Sequence, residues 1–174
     1  DATKAITILQ RMTKDFGVRP TDKSREIVAY ACVKAGDHDK ALQLLTSLDV
    51  ISNLGQFVVW RMIRDCLAKD ESDKAWDLFD GLRSKVLPAP EICGSMLMNC
   101  GKHDMVEKAF KTYRELQAQG LTPHWITHSA LIYSASKRKE YYEKATELFR
   151  EMESTRMQMD IRVYNNMLQA TSKT

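Results

Sequence analysis

Apolar residues fall along this chain at helical spacing, and the pattern returns at a nearly constant interval. Counting from Ala5, Ala41, Ala75, Ala109 and Ala145, three residues later stand Ile8, Leu44, Leu78, Thr112 and Leu148. Four later come Leu9, Leu45, Phe79, Tyr113 and Phe149, and seven later Met12, Leu48, Leu82, Leu116 and Met152. These offsets lie on one face of a 3.6-residue helix, so each copy predicts an amphipathic helix whose apolar stripe begins at a small residue. Alanine at that point lets a neighbouring helix come close. A leucine at Ala75 or Ala109 overpacks the contact and costs on the order of 1–3 kcal/mol. Upstream of each alanine a second helix is marked by Val28-Ala29, Met62-Ile63, Met96-Leu97 and Leu131-Ile132, and Met167-Leu168 opens a further copy. The predicted unit is a helical hairpin.

Each of the five alanines follows a lysine, as Lys4, Lys40, Lys74, Lys108 and Lys144, at intervals of 36, 34, 34 and 36 residues. A period of about 35 residues is the signature of stacked supersecondary units, none of which buries its apolar face alone. The turn inside the hairpin is clearest in Lys34-Ala35-Gly36-Asp37, where glycine can take the left-handed conformation that closes a helix. Turns between units are written as Gly17-Val18-Arg19-Pro20 and Gly120-Leu121-Thr122-Pro123, with Pro88 and Pro90 doing the same between the middle units. The register gives a second-helix remnant at 1–21, complete units at 22–55, 56–89, 90–124 and 125–160, and the first helix of a further unit at 161–174. The last complete unit carries one extra residue, placed in its hairpin turn around Lys139 to Glu143. With half-units at both ends, core surface is left uncovered, and we expect the sequence to belong to a longer array.

Composition agrees with an all-α chain: Gly and Pro number only 7 and 4 of 174 residues, and 44% hydrophobic content suffices for a core. A net charge of +3, from 26 basic and 23 acidic side chains, gives no strong general attraction to phosphate. No apolar run approaches the roughly 20 residues needed to span a bilayer, so the chain reads as soluble with no membrane partner. Cys32, Cys66 and Cys100 each precede their unit's alanine by nine residues and are one structural position, a small side chain packed in the first helix. Thiols one repeat apart do not make a zinc or disulfide site, and no metal or cofactor is expected. His124 and His128 read as loop and surface histidines. The sequence holds no nucleophile triad, phosphate loop or zinc-deaminase signature, so no catalytic residue and no small-molecule substrate are expected.

A period near 35 with helical hairpins admits tetratricopeptide and pentatricopeptide repeats. The former usually has another alanine seven residues beyond the first, where this chain has Met or Leu in every unit. By contrast Val33-Lys34-Ala35-Gly36-Asp37-His38-Asp39-Lys40-Ala41-Leu42 resembles the pentatricopeptide hairpin turn. Ala145-Thr146-Glu147-Leu148-Phe149-Arg150-Glu151-Met152 resembles that family's second helix, and Val163-Tyr164-Asn165-Asn166-Met167-Leu168 its first-helix opening. The resemblance covers essentially the whole chain and implies an all-α, right-handed α-solenoid of stacked antiparallel helical hairpins.

It also implies RNA binding, about one base per repeat. In the family the second residue of a unit sandwiches bases, and the fifth residue together with the last reads the base edge. By that rule Ser129 with Asp160 suits guanine and Asn165 a pyrimidine, Trp60 is a candidate by stacking, and Phe57 and Ile126 are sandwich candidates. Glu26 with Gly55, the partner Ala89 of Trp60, and Gly94 with His124 depart from the rule. Lys23 and Arg162 at second positions suit phosphate, whereas Glu91 does not. Lys34, Lys69, Lys102, Lys137 and Arg138, at the ends of first helices, are phosphate-contact candidates, although cations there are also favoured by the helix dipole, by roughly 0.3–1 kcal/mol. Two readings stay open beside that of a purely protein-binding helical scaffold. One is a non-catalytic organellar binder of single-stranded RNA, mitochondrial or plastid. The other is a structural subunit of a mitochondrial ribosome or its assembly intermediate, holding ribosomal RNA and other protein subunits of a ribonucleoprotein without a base code.

Overall fold

Half of the α-helix starts follow a small polar residue that caps them. In the computed structural model, which describes residues 1–173, Thr21 Oγ1 accepts a hydrogen bond from Ser24 N at 3.2 Å, and an Asp37 carboxylate oxygen accepts one from Lys40 N at 3.0 Å. Each satisfies a first-turn amide that the helix itself leaves unpaired. Pro90 opens its helix where no amide is needed. The described residues form ten α-helices and no strand. They are α1 (Ala2–Lys14), α2 (Asp22–Lys34), α3 (His38–Thr46), α4 (Asn53–Ala68), α5 (Ser72–Arg83), α6 (Pro90–Lys102), α7 (Val106–Ala118), α8 (Trp125–Ala135), α9 (Tyr142–Ser154) and α10 (Ile161–Thr171). A 3-10 turn at Lys139–Tyr141 joins α8 to α9, in the hairpin connection where the extra residue falls.

The chain divides into two compact units, Asp1–Val86 and Leu87–Thr174. In the first, α2 packs against α1 and α3, α4 against α5, and α2 beside α4. In the second, α6 packs against α7 and α8, and α8 against α9 and α10. First helices therefore lie side by side in each unit, with second helices behind them, which is the all-α hairpin architecture expected.

The repeated stripe supplies the core. Ala41, Ala75, Ala109 and Ala145 have no exposed surface, and Leu45, Leu48, Phe79, Leu82, Leu116 and Met152 are buried beside them. The copy on α1 is not enclosed: Ala5, Leu9 and Met12 are half-buried and Ile8 is exposed. Cys32, Cys66 and Cys100 are free and buried at the same step of three first helices. Gly36 closes its hairpin with φ +83°. One and two periods on, that position is held by Asp70 and Asp104, at φ 61° and 55°, because a short polar side chain tolerates the left-handed region.

The unit boundary drawn at residue 56 needs correction. α4 starts at Asn53 and is capped by Ser52, whose hydroxyl accepts from Leu54 N at 3.1 Å. Gly55 is therefore a helical residue and not the end of a loop. No described helix is long and apolar enough to cross a membrane.

Candidate functional site

In the first unit the Glu26–Gly55 pair is an internal joint. Glu26 is 1% exposed, and its carboxylate accepts hydrogen bonds from Ser52 N at 2.8 Å and from the Ser52 hydroxyl. An anion at the start of α4 is favoured by the exposed amides and dipole there. Gly55 makes room for it, since a Cβ at that position lies 2.5 Å from Glu26 Oε1. Outward from this joint, the first helices carry a run of rings and cations. Lys34 Nζ stands 5.6 Å over the Tyr30 ring, Tyr30 meets Phe57 at 6.0 Å, Phe57 meets Trp60 at 5.5 Å, and the Arg64 guanidinium lies 4.8 Å over Trp60. Phe57 is 43% exposed. Lys69, also exposed, lines a groove of about 690 Å³ between α3 and α5, whose floor includes Leu45, Met62 and Leu82 and whose rim mixes Asp39, Lys74 and Asp77.

In the second unit two glycines draw α6 onto α8. A Cβ at Gly94 lies 2.3 Å from Ile126 Cγ2, and one at Gly101 lies 2.7 Å from the Tyr133 ring. Ser134 Oγ donates across the same contact to the Leu97 carbonyl at 2.9 Å. Ile126, half-buried, thus fills the space in front of Gly94. His124 caps α8, its Nδ1 accepting from Ile126 N at 3.3 Å. Ser129 is 6% exposed. Asp160 caps α10, accepting from the amides of Arg162 and Val163 at 3.0 and 3.2 Å and from Arg162 Nε at 2.6 Å. The hydrogen bond from Arg162 holds the Asp160 carboxyl below the usual carboxylate range. Asn165 is exposed, as is Lys102. Lys137 stands 4.4 Å over the Tyr133 ring. Arg138 is forked onto neighbouring acids, with Nε 3.1 Å from Asp104 Oδ1 and Nη1 2.9 Å from Glu107 Oε1.

The family model for the pentatricopeptide repeat matches residues 91–121 and 126–156. Those two stretches are pentatricopeptide repeats. Two solved pentatricopeptide structures share the fold. The crystal structure of PPR10 from maize is 21% identical over 99% of this chain and 25% of that chain, with a TM-score of 0.67. The structure of PPR10 in complex with an 18-nt psaJ RNA element is 18% identical over the same shares, with a TM-score of 0.56. This chain spans about a quarter of the length of the solved chains it matches. Comparison with curated proteins gives no match.

Within the repeats, the rings and cations at i and i+4 of the first helices escaped the sequence reading: Tyr30 with Lys34, Trp60 with Arg64, and Tyr133 with Lys137. The signal was present as an aromatic followed four residues later by Lys or Arg in three of the units. His128 is a second correction. It is fully buried, not a surface residue, edge-on to Tyr113 at 5.9 Å, with Nε2 3.1 Å from Glu151 Oε2. That distance suits an ion pair, yet neither ring nitrogen completes a hydrogen bond of good geometry. Burial pushes the Tyr113 hydroxyl up to about 12 and the thiols of Cys93 and Cys100 up to about 12 and 11. Such thiols hold their protons at neutral pH and are poor nucleophiles and ligands. No cluster of metal-ligating side chains occurs among the described residues.

Proposed function

We propose that this chain is a non-catalytic RNA-binding segment that holds single-stranded RNA along the outward faces of its first helices. The observation that carries the reading is the repeat itself, seen in a relative solved with RNA bound. Exposed cations at the first-helix ends, Lys34 and Lys102, and the exposed amide of Asn165 support it. An organellar setting, mitochondrial or plastid, rests on the family resemblance alone.

A second reading, a structural ribonucleoprotein subunit that holds RNA without a base code, is favoured by a specific observation. Glu26, Gly55 and Gly94 serve packing, His124 and Asp160 serve capping, and Ser129 is nearly enclosed. Binding of the chain to random single-stranded RNA pools across a salt series separates the two. Enrichment of a guanine position that disappears in Ser129→Ala supports base reading, and binding without enrichment supports the structural role. Charge reversal at Lys34 and Lys102 lowers the salt slope by about 0.7 for each phosphate that is no longer neutralised. No binding to any RNA sinks both readings.

A further inference from the structure

Resting on the RNA-binding reading, we infer that Tyr30, Trp60 and Arg64 extend Phe57 into a sequence-tolerant stacking platform for unpaired bases in the first unit. Four observations carry it. The platform is continuous, running from Lys34 through Tyr30, Phe57 and Trp60 to Arg64 with centroid or charge-to-ring separations of 4.8 to 6.0 Å. Its rings are tilted at 52° and 45° to one another, so they do not cover each other's faces as stacked rings do. Bases stack on aromatic faces and on arginine planes, and every base offers a π-face, so such contacts discriminate little.

The third observation is charge. Lys23, Tyr30 and Lys34 share one face of α2 by their spacing, and Phe57, Trp60 and Arg64 one face of α4; these positions bring three cations and no carboxylate. Of the two acids on α2, Glu26 is buried and turned onto Ser52, and Asp22, next to Lys23, is paired with Arg25 at 3.0 Å. The surface therefore combines apolar rings with positive charge, which fits a single-stranded polyanion with unpaired bases and not a basic or wholly apolar protein segment. The fourth is that the residues standing at the family's base-reading positions here are not free to read. Glu26 and Gly55 are locked into their joint, and the Trp60 indole nitrogen is buried. What remains outward is rings and cations, which stack on and attract any base.

The test uses the whole chain and labelled short homopolymers of U, A and C, with an RNA duplex as control. Tyr30→Ala and Arg64→Gln are each expected to weaken binding to all three homopolymers by a similar factor, about tenfold. Tyr30→Phe is expected to restore affinity. Homopolymer U is expected to quench Trp60 fluorescence, and Trp60→Ala to lose that quench and to weaken binding by a similar factor. Circular dichroism of each variant shows that the helices persist. Unchanged affinity in folded Tyr30→Ala and Arg64→Gln, a loss confined to one homopolymer, or equal binding of the duplex overturns the platform while leaving RNA binding intact. A wild-type chain that binds no RNA overturns both.

Discussion

Replacing Gly55 by alanine tests the joint between the first two complete repeats. In an ordinary helix interior this substitution stabilises, because alanine is favoured over glycine by about 0.8–1.0 kcal/mol. Gly81 in α5 is such a place: an added Cβ there meets nothing within 4 Å. Gly81→Ala should therefore raise the melting midpoint by about 2–4 °C for a chain of this size. At Gly55 the same Cβ stands 2.5 Å from Glu26 Oε1 and 2.7 Å from Ile51 Cγ2. The carboxylate must then leave Ser52, or α4 must move. Leaving a buried polar group unsatisfied costs about 1–3 kcal/mol, and overpacking costs a similar amount. After the helix gain is subtracted, the net loss is about 2 kcal/mol, which lowers the midpoint by roughly 4–8 °C. Thermal unfolding followed by circular dichroism reads both variants, which differ in sign. In a Glu26→Ala background the Gly55→Ala penalty should shrink, since the two residues share one contact. A midpoint that rises in Gly55→Ala as it does in Gly81→Ala would show that Glu26 is not seated at the start of α4.

Arg156 occupies the left-handed region at φ 53° just beyond α9. Arg156→Gly relieves a strain of roughly 1–2 kcal/mol and should raise the melting midpoint by several degrees; a fall refutes it. Alkaline pH should weaken the second unit. Cys93, Cys100 and Tyr113 have folded values raised by burial to about 12, 11 and 12, from 9.0, 9.0 and 10.0. The unfolded chain thus sheds these protons first. Stability is full below pH 9 and lost progressively as pH climbs toward those folded values, by at most about 1.4 kcal/mol per pH unit for the Cys93 thiol. Urea midpoints that stay flat from pH 9 to 11, or a slope that Cys93→Ala leaves unaltered, would contradict this. Arg138→Ala should leave RNA affinity and its salt slope unchanged, because that guanidinium is held by Asp104 and Glu107; a shallower slope in a binding titration would restore it as a phosphate contact.

The period, the hairpins and the alanine stripe were all legible in the chain, because burial of one helical face leaves a regular mark on composition. What a register cannot give is which neighbour occupies the space around a residue. Glu26 and Ser129 stand where the family's rule puts readers, yet one is drawn inward by the capped end of α4 and the other is nearly enclosed on α8. The start of α4 was missed because Ser52 and Asn53 lie before the repeating apolar offsets begin. His128 misled for a related reason: α8 is buried over most of its circumference, so a polar residue near its start is enclosed with the rest. Asp70 and Asp104 carry no turn signal of their own, because aspartate is common in helices' first turns and glycine is the usual mark of a left-handed turn. Counted from Gly36, both sit on the same period.

Cys32, Cys66 and Cys100 place one shielded sulfur at a matching depth in three successive hairpins. A thiol in that position can be alkylated only while its own hairpin is open. The rate at which each sulfur is trapped by a small reagent, resolved by mass spectrometry, therefore reports how often that hairpin loosens. The molecule carries its own set of local opening gauges, by which cooperation between adjoining repeats can be measured without adding a probe.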